Sequence, residues 1–181
     1  MASIVVGGCG RGVGKTALVC GVIAALPEFH WTAVKITSHA HGQDKPVWEE
    51  TLPGKGTDTG RYLAAGARRS LLVTAGADAL GPMLLHLIRE QGPAAHLIFE
   101  SNRILGHFRP DVCLALDGSP EGDEKQSFSL VLENMDARVT LAERDGVAAG
   151  DKPRFQLAAL ERISPEMTCW LRAHLQPWSG V

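Results

Sequence analysis

The nine residues Gly8-Cys9-Gly10-Arg11-Gly12-Val13-Gly14-Lys15-Thr16 place four glycines ahead of a lysine and a hydroxyl. Residues of this kind bind anionic oxygens. Glycine lets the backbone come close, so that successive N–H groups and the start of a following helix converge on phosphate-like groups. Lys15 would add a point charge to the outer phosphates of a nucleoside triphosphate, and Thr16 a hydroxyl for Mg²⁺. The residues predicted to touch the nucleotide are therefore Gly10, Arg11, Gly12, Val13, Gly14, Lys15, Thr16 and Ala17. The common spacing is G-x-x-x-x-G-K-[ST]. Counting back from Gly14 puts Cys9 at its first glycine, so Gly8 opens a loop with five intervening residues.

Glu100 directly follows the apolar run Leu97-Ile98-Phe99. An acid at a strand end beside such a loop can hold Mg²⁺ or orient a nucleophile, and Ser101 and Asn102 add polar groups at the same place for a substrate. Lys35, near the end of Val34-Lys35-Ile36-Thr37, can reach either the triphosphate or an anionic substrate, or else snorkel from an edge strand. Lys15, Lys35 and Glu100 form the candidate catalytic set, with Thr16 and Glu100 as the metal contacts. His39 and His41 flank Ala40 on a polar stretch, where two histidines at i, i+2 favour substrate contact over a dedicated zinc site. Asp58 and Thr59 open a helical pattern and are substrate candidates, although helix capping alone accounts for Asp58. Arg61, Arg68 and Arg69 read as a solvated face.

Regular elements must hold these residues. Seven β-rich runs are bounded by Gly, Pro or charge: Ile4–Val6, Trp31–Thr37, Leu71–Thr74, Leu97–Phe99, Val112–Leu116, Val139–Leu141 and Phe155–Leu157. Helical periodicity marks Thr16–Leu26, with Leu18, Val22 and Ala25 on one stripe. It also marks Ala79–Glu90, with Leu80, Met83, Leu84, Leu87 and Ile88 in helical register. Ser164-Pro165-Glu166 reads as a helix start running to about His174. The alternation predicts right-handed βαβ crossovers: an α/β, three-layer fold with a mostly parallel sheet of about seven strands and ligands at the carboxyl ends of those strands. The stretch 38–57 breaks that rhythm and reads as a functional loop. Gly118–Glu124 reads as a surface turn.

The chain has 181 residues, with 45% apolar content and a net charge of −2. That length suits a single domain spanning 1–181, and the charge gives no global attraction to nucleic acid or anionic lipid. No apolar run is long enough to span a bilayer. The four cysteines, Cys9, Cys20, Cys113 and Cys169, lack metal or disulfide spacing, which points to reduced thiols and a cytoplasmic location.

With these motifs in order, the sequence resembles the molybdopterin-guanine dinucleotide biosynthesis accessory proteins of the MobB type. The likeness rests on Gly12-Val13-Gly14-Lys15-Thr16, Val34-Lys35-Ile36-Thr37-Ser38-His39, Pro53-Gly54-Lys55, Asp58-Thr59, Ala65-Gly66-Ala67, Phe99-Glu100-Ser101-Asn102 and Arg109-Pro110-Asp111. The resemblance implies a P-loop NTPase-type fold of the class that includes dethiobiotin synthetase and MinD-like proteins. It further implies bound GTP or ATP with Mg²⁺, weak hydrolysis at most, a homodimer, and a partner protein in molybdenum-cofactor biosynthesis. It strengthens Lys15, Thr16, Lys35, Asp58 and Glu100 as site residues. The base stays open, because Val139-Thr140-Leu141 is followed by Ala142-Glu143-Arg144-Asp145, without the Asn-Lys-x-Asp of guanine-specific relatives. Two other readings are a ligase or kinase resembling dethiobiotin synthetase, in which Lys35 is catalytic, and a MinD-like nucleotide-switched dimer.

Overall fold

The computed structural model describes residues 1–38, 45–118, 127–141 and 151–175. His39, His41, residues 119–124 of the turn and Ala142–Asp145 lie outside them. All seven expected strands are present: β1 (Ser3–Gly8), β2 (Thr32–Thr37), β4 (Arg69–Thr74), β5 (Leu97–Glu100), β6 (Val112–Leu116), β7 (Ala137–Leu141) and β8 (Arg154–Leu157). An eighth, β3 (Val47–Glu50), falls inside the stretch expected to be a loop.

The sheet order is β3-β4-β2-β5-β1-β6-β7-β8, and every pairing is parallel except β3 with β4. β3 escaped the sequence pattern because two of its four residues are acidic. The structure supplies the compensation: the Arg69 guanidinium grips Glu49 through two bonds of 2.8 Å, fastening a charged edge strand to its neighbour.

Side chains alternate across the strands, and both faces of the sheet are covered. Ile4 and Val6 of β1 pack with α1 (Lys15–Ala25), α2 (Asp58–Ala64) and α5 (Pro165–His174). Val5, on the opposite face, packs with α3 (Ala77–Gln91) and α4 (Ser127–Asn134). This explains why the strands read as continuous apolar runs rather than as alternating ones. α1 is buried nearly all round, from Leu18 through Ile23, and burial pushes the Cys20 thiol up to about 11.

The helix starts are only partly as expected. Ser164 caps α5, accepting from the Met167 N–H at 3.2 Å, with Pro165 in the first turn. For α2 the cap is Thr57, whose hydroxyl accepts from Gly60 N–H at 2.9 Å. Asp58, expected to cap, is instead the first helical residue, and its carboxylate is thereby turned toward β2.

Candidate functional site

β1, β5 and β2 end side by side, and beyond their carboxyl ends lies a cavity of about 650 Å³. Its walls include Arg11, Gly12, Gly14, Lys15, Thr16 and Ala17 from the glycine loop and α1. Lys35, Asp58, Glu100, Ser101 and Asn102 complete it on the side of the neighbouring strands. These candidate residues meet in one place.

The loop has its shape for reasons that can be named. Gly14 sits at φ 105°, a left-handed conformation, and a Cβ there would lie 2.2 Å from Leu160 Cδ1. Only glycine fits both demands. Gly14 is also the N-cap of α1 and contributes no side-chain hydrogen bond, so the first N–H groups of α1 face the cavity as a helix N-terminus suited to anions. The base of the loop is held by Asn102. Its amide pairs with Gly8 like an extra strand residue, accepting from Gly8 N–H and donating to Gly8 C=O, both at 2.9 Å. Asn102 also donates to Ser127 at 3.3 Å. The amide expected on a substrate is therefore engaged in holding the loop. Lys15 Nζ donates to the Gly10 carbonyl at 2.5 Å, folding the lysine back over its own loop.

Glu100 is the hub. It is 3% exposed, and its carboxylate is surrounded by donors. Thr16 donates to Oε2 at 2.7 Å, and the Tyr62 hydroxyl donates to the same oxygen. Lys35 bonds Oε1 and also reaches Asp58 at 3.0 Å. Burial alone would push the Lys35 ammonium down, but the Glu100 charge and the bonds to Glu100 and Asp58 outweigh it and hold the ammonium above its usual value. Burial pushes Asp58 up, and the Lys35 contact overcomes it, so that its carboxyl lies below the usual range. Burial first, and then the Glu100 charge, hold the Tyr62 phenol far above its ordinary value. Tyr62 is fully buried and stays a neutral donor.

Thr16 and Glu100 present hard oxygen atoms 2.7 Å apart, the donor chemistry Mg²⁺ prefers. The Lys35 ammonium lodged against Glu100 and Asp58 shows that this corner accepts positive charge. The residues present therefore fit the ion.

Among the described candidates, Gly10, Val13 and Thr59 do not line the cavity. Thr59 is buried and bonds toward Glu50 and Thr57 at 3.5 and 3.4 Å. Tyr62, Arg61 and Arg103 are among the residues that join the site without having been singled out for it. Tyr62 lies four residues, one helical turn, beyond Asp58, so that signal was in the spacing. Arg61 lines the cavity and lies 3.6 Å from Glu161. Arg103 lines the far wall.

No known protein family and no curated protein sequence matches this chain. By structure it is similar to the "apo" form of LpxK from Aquifex aeolicus in complex with ATP. The TM-score is 0.53 and the identity 18%, over 86% of this chain and 53% of that one. The fold is that of the P-loop NTPases. This chain spans about half the length of LpxK. It is also similar to a MobB protein homolog from Bacillus stearothermophilus, with a TM-score of 0.48 and 15% identity over 97% and 99% of the two chains.

Proposed function

We propose that this chain binds a nucleoside triphosphate, GTP or ATP, with Mg²⁺ in the cavity above β1 and β5. The observation that carries the reading is the buried contact between Thr16 and Glu100 at 2.7 Å, at the foot of the glycine loop. In this reading the N–H groups of residues 10–17 cradle the phosphates, Lys15 swings from the Gly10 carbonyl to the outer phosphates, and Thr16 and Glu100 hold the metal. The ion, when bound, neutralises charge on the phosphate oxygens. Lys35 and Asp58 stand ready to orient whatever lies beyond the terminal phosphate.

Isothermal titration with Mg·ATP and Mg·GTP tests the reading. Wild type is expected to bind at least one of them, and Lys15→Ala at least tenfold more weakly. Equal binding by the two proteins would remove the assignment.

The ordered motif resemblance to MobB-type proteins supports an accessory role in molybdenum-cofactor biosynthesis, with a homodimer as the working form and a cytoplasmic location. The nucleotide-loaded chain should then raise the yield of a purified enzyme that joins a nucleotide to molybdopterin, and no change in yield would argue against that role. A phosphoryl-transferring enzyme is the second reading. It is favoured by the placement of Asp58 and Lys35 in the same cavity as the phosphate loop, and it is tested by acceptor-dependent phosphate release that is lost in Lys35→Ala.

A further inference from the structure

We propose that the part of the cavity lying over the end of β2, on the side of Arg103, is a second subsite, built around Arg103, for a phosphate-bearing small molecule that meets the nucleotide there. The proposal rests on the nucleotide reading above and names the class of its co-ligand.

Position separates this subsite from the triphosphate. The glycine loop follows β1, and the sheet order places β5, β2 and β4 successively farther away. At the usual strand spacing the end of β4 lies about 14 Å from the end of β1. Lys15 and Thr16 keep the terminal phosphate near β1 and β5. Arg103 follows β5 in a short 3-10 turn and reaches across to the far end, where both terminal nitrogens donate to the carbonyl of Ala75, at 3.1 and 3.0 Å, just beyond β4.

Charge then sets the ligand. A carbonyl orients a guanidinium without neutralising it. Among the described residues Arg103 has no carboxylate partner, whereas Arg69, Arg138 and Arg172 are each matched to an acid. A half-buried, oriented and unneutralised guanidinium on a cavity wall is an anion site. Hydroxyls complete it. Ser101 Oγ accepts the Arg103 N–H at 3.1 Å, which leaves its own proton to donate. Ser38, just past the end of β2, lines the same cavity. A fork of N–H groups with two hydroxyls suits a phosphate, whose terminal oxygens can use every donor, better than a planar carboxylate.

The test measures binding of inorganic phosphate by calorimetry to wild type, Arg103→Gln, Arg103→Lys and Lys15→Ala, with and without Mg·AMP-PNP, with melting curves reporting the fold. Phosphate is expected to bind the AMP-PNP-loaded wild type. Arg103→Gln should weaken phosphate at least tenfold more than it weakens AMP-PNP, and Arg103→Lys should recover part of the loss. The subsite is overturned if phosphate fails to bind, if it competes with AMP-PNP, or if Arg103→Gln weakens both ligands alike. Should wild type bind no nucleotide, the nucleotide reading fails on its own. The nucleotide-free titration then decides the subsite: loss in Arg103→Gln supports it, and loss in Lys15→Ala alone overturns it.

Discussion

The Thr16 hydroxyl donates to Glu100 Oε2 across 2.7 Å, joining the first turn of α1 to the end of β5. The bond is buried, so a carboxylate is required there rather than merely tolerated: its charge answers Lys35 on one oxygen and receives Thr16 and Tyr62 on the other. Glu100→Gln keeps the shape but replaces an acceptor oxygen with a donor and removes the charge. The Mg²⁺-dependent gain in nucleotide affinity should fall at least tenfold, while metal-free affinity changes much less. Titrations with Mg²⁺ and with EDTA measure both. An unchanged Mg²⁺ gain would take Glu100 out of the metal site.

Tyr62 is the chain's single tyrosine, and its hydroxyl is spent wholly inside the protein, on Glu100. Tyr62→Phe removes a donor to a buried carboxylate without creating a cavity, at a cost of about 2 kcal/mol. Urea unfolding should show that loss. Because the freed carboxylate oxygen also leaves Thr16 as its remaining donor, nucleotide affinity should drop as well. A variant as stable as wild type would mean that the hydroxyl has no such role.

The Lys35–Asp58 pair gives stability a defined pH window. The Asp58 carboxyl is lowered in the folded state, so its contribution is full above the unfolded value of about 4 and is lost as pH falls through the folded one. Lys35 is raised, so its contribution is full below about 10.4 and is lost as pH climbs through the folded value. Asp58→Asn should therefore flatten the fall in urea midpoint on the acid side, and Lys35→Met the fall on the alkaline side. Parallel pH profiles for wild type and Asp58→Asn would contradict the pairing. The Asp58 side chain is 41% exposed, so added salt should shrink its share.

Much of this site was legible in the sequence because local rules governed it. A glycine run, Lys15-Thr16 and an acid after an apolar run each declare themselves within a few residues. What stayed hidden depends on contacts between distant segments. β3 looks like loop until Arg69, twenty residues on, neutralises Glu49. Asn102 looks like a substrate ligand until its amide is seen against Gly8, 94 residues away. Nothing in the sequence singles out Arg103, and only the carbonyl of Ala75 shows where its guanidinium is held.

The cysteines test the packing of the two faces independently of any ligand. Burial pushes the Cys20 thiol up to about 11 and the Cys113 thiol up to about 12, so neither forms thiolate near neutral pH. Cys169 is exposed and Cys9 partly so. A thiol-specific reagent near pH 8 should label Cys169 first, Cys9 more slowly, and Cys20 and Cys113 only once the protein is unfolded. Labelling of Cys20 at the rate of Cys169 in the native protein would mean that α1 is not packed as described.

Gly12 and Gly14 separate backbone strain from crowding within one loop. Both have positive φ, 75° and 105°, a region that costs an L-residue about 1–2 kcal/mol. Their surroundings differ: a Cβ on Gly12 meets nothing within 4 Å, whereas one on Gly14 meets Leu160 Cδ1 at 2.2 Å. Leu160 is 6% exposed and belongs to the core cluster around α1, so it cannot simply swing into water. Gly12→Ala should therefore lose only the backbone cost, and Gly14→Ala clearly more, read as the larger drop in melting temperature. Adding Leu160→Ala to Gly14→Ala removes the collision and leaves the φ penalty, so the double variant should lose less than the sum of the two single losses. Strict additivity of the two losses would show that Leu160 does not press on the loop, and that the left-handed turn at Gly14 alone demands glycine.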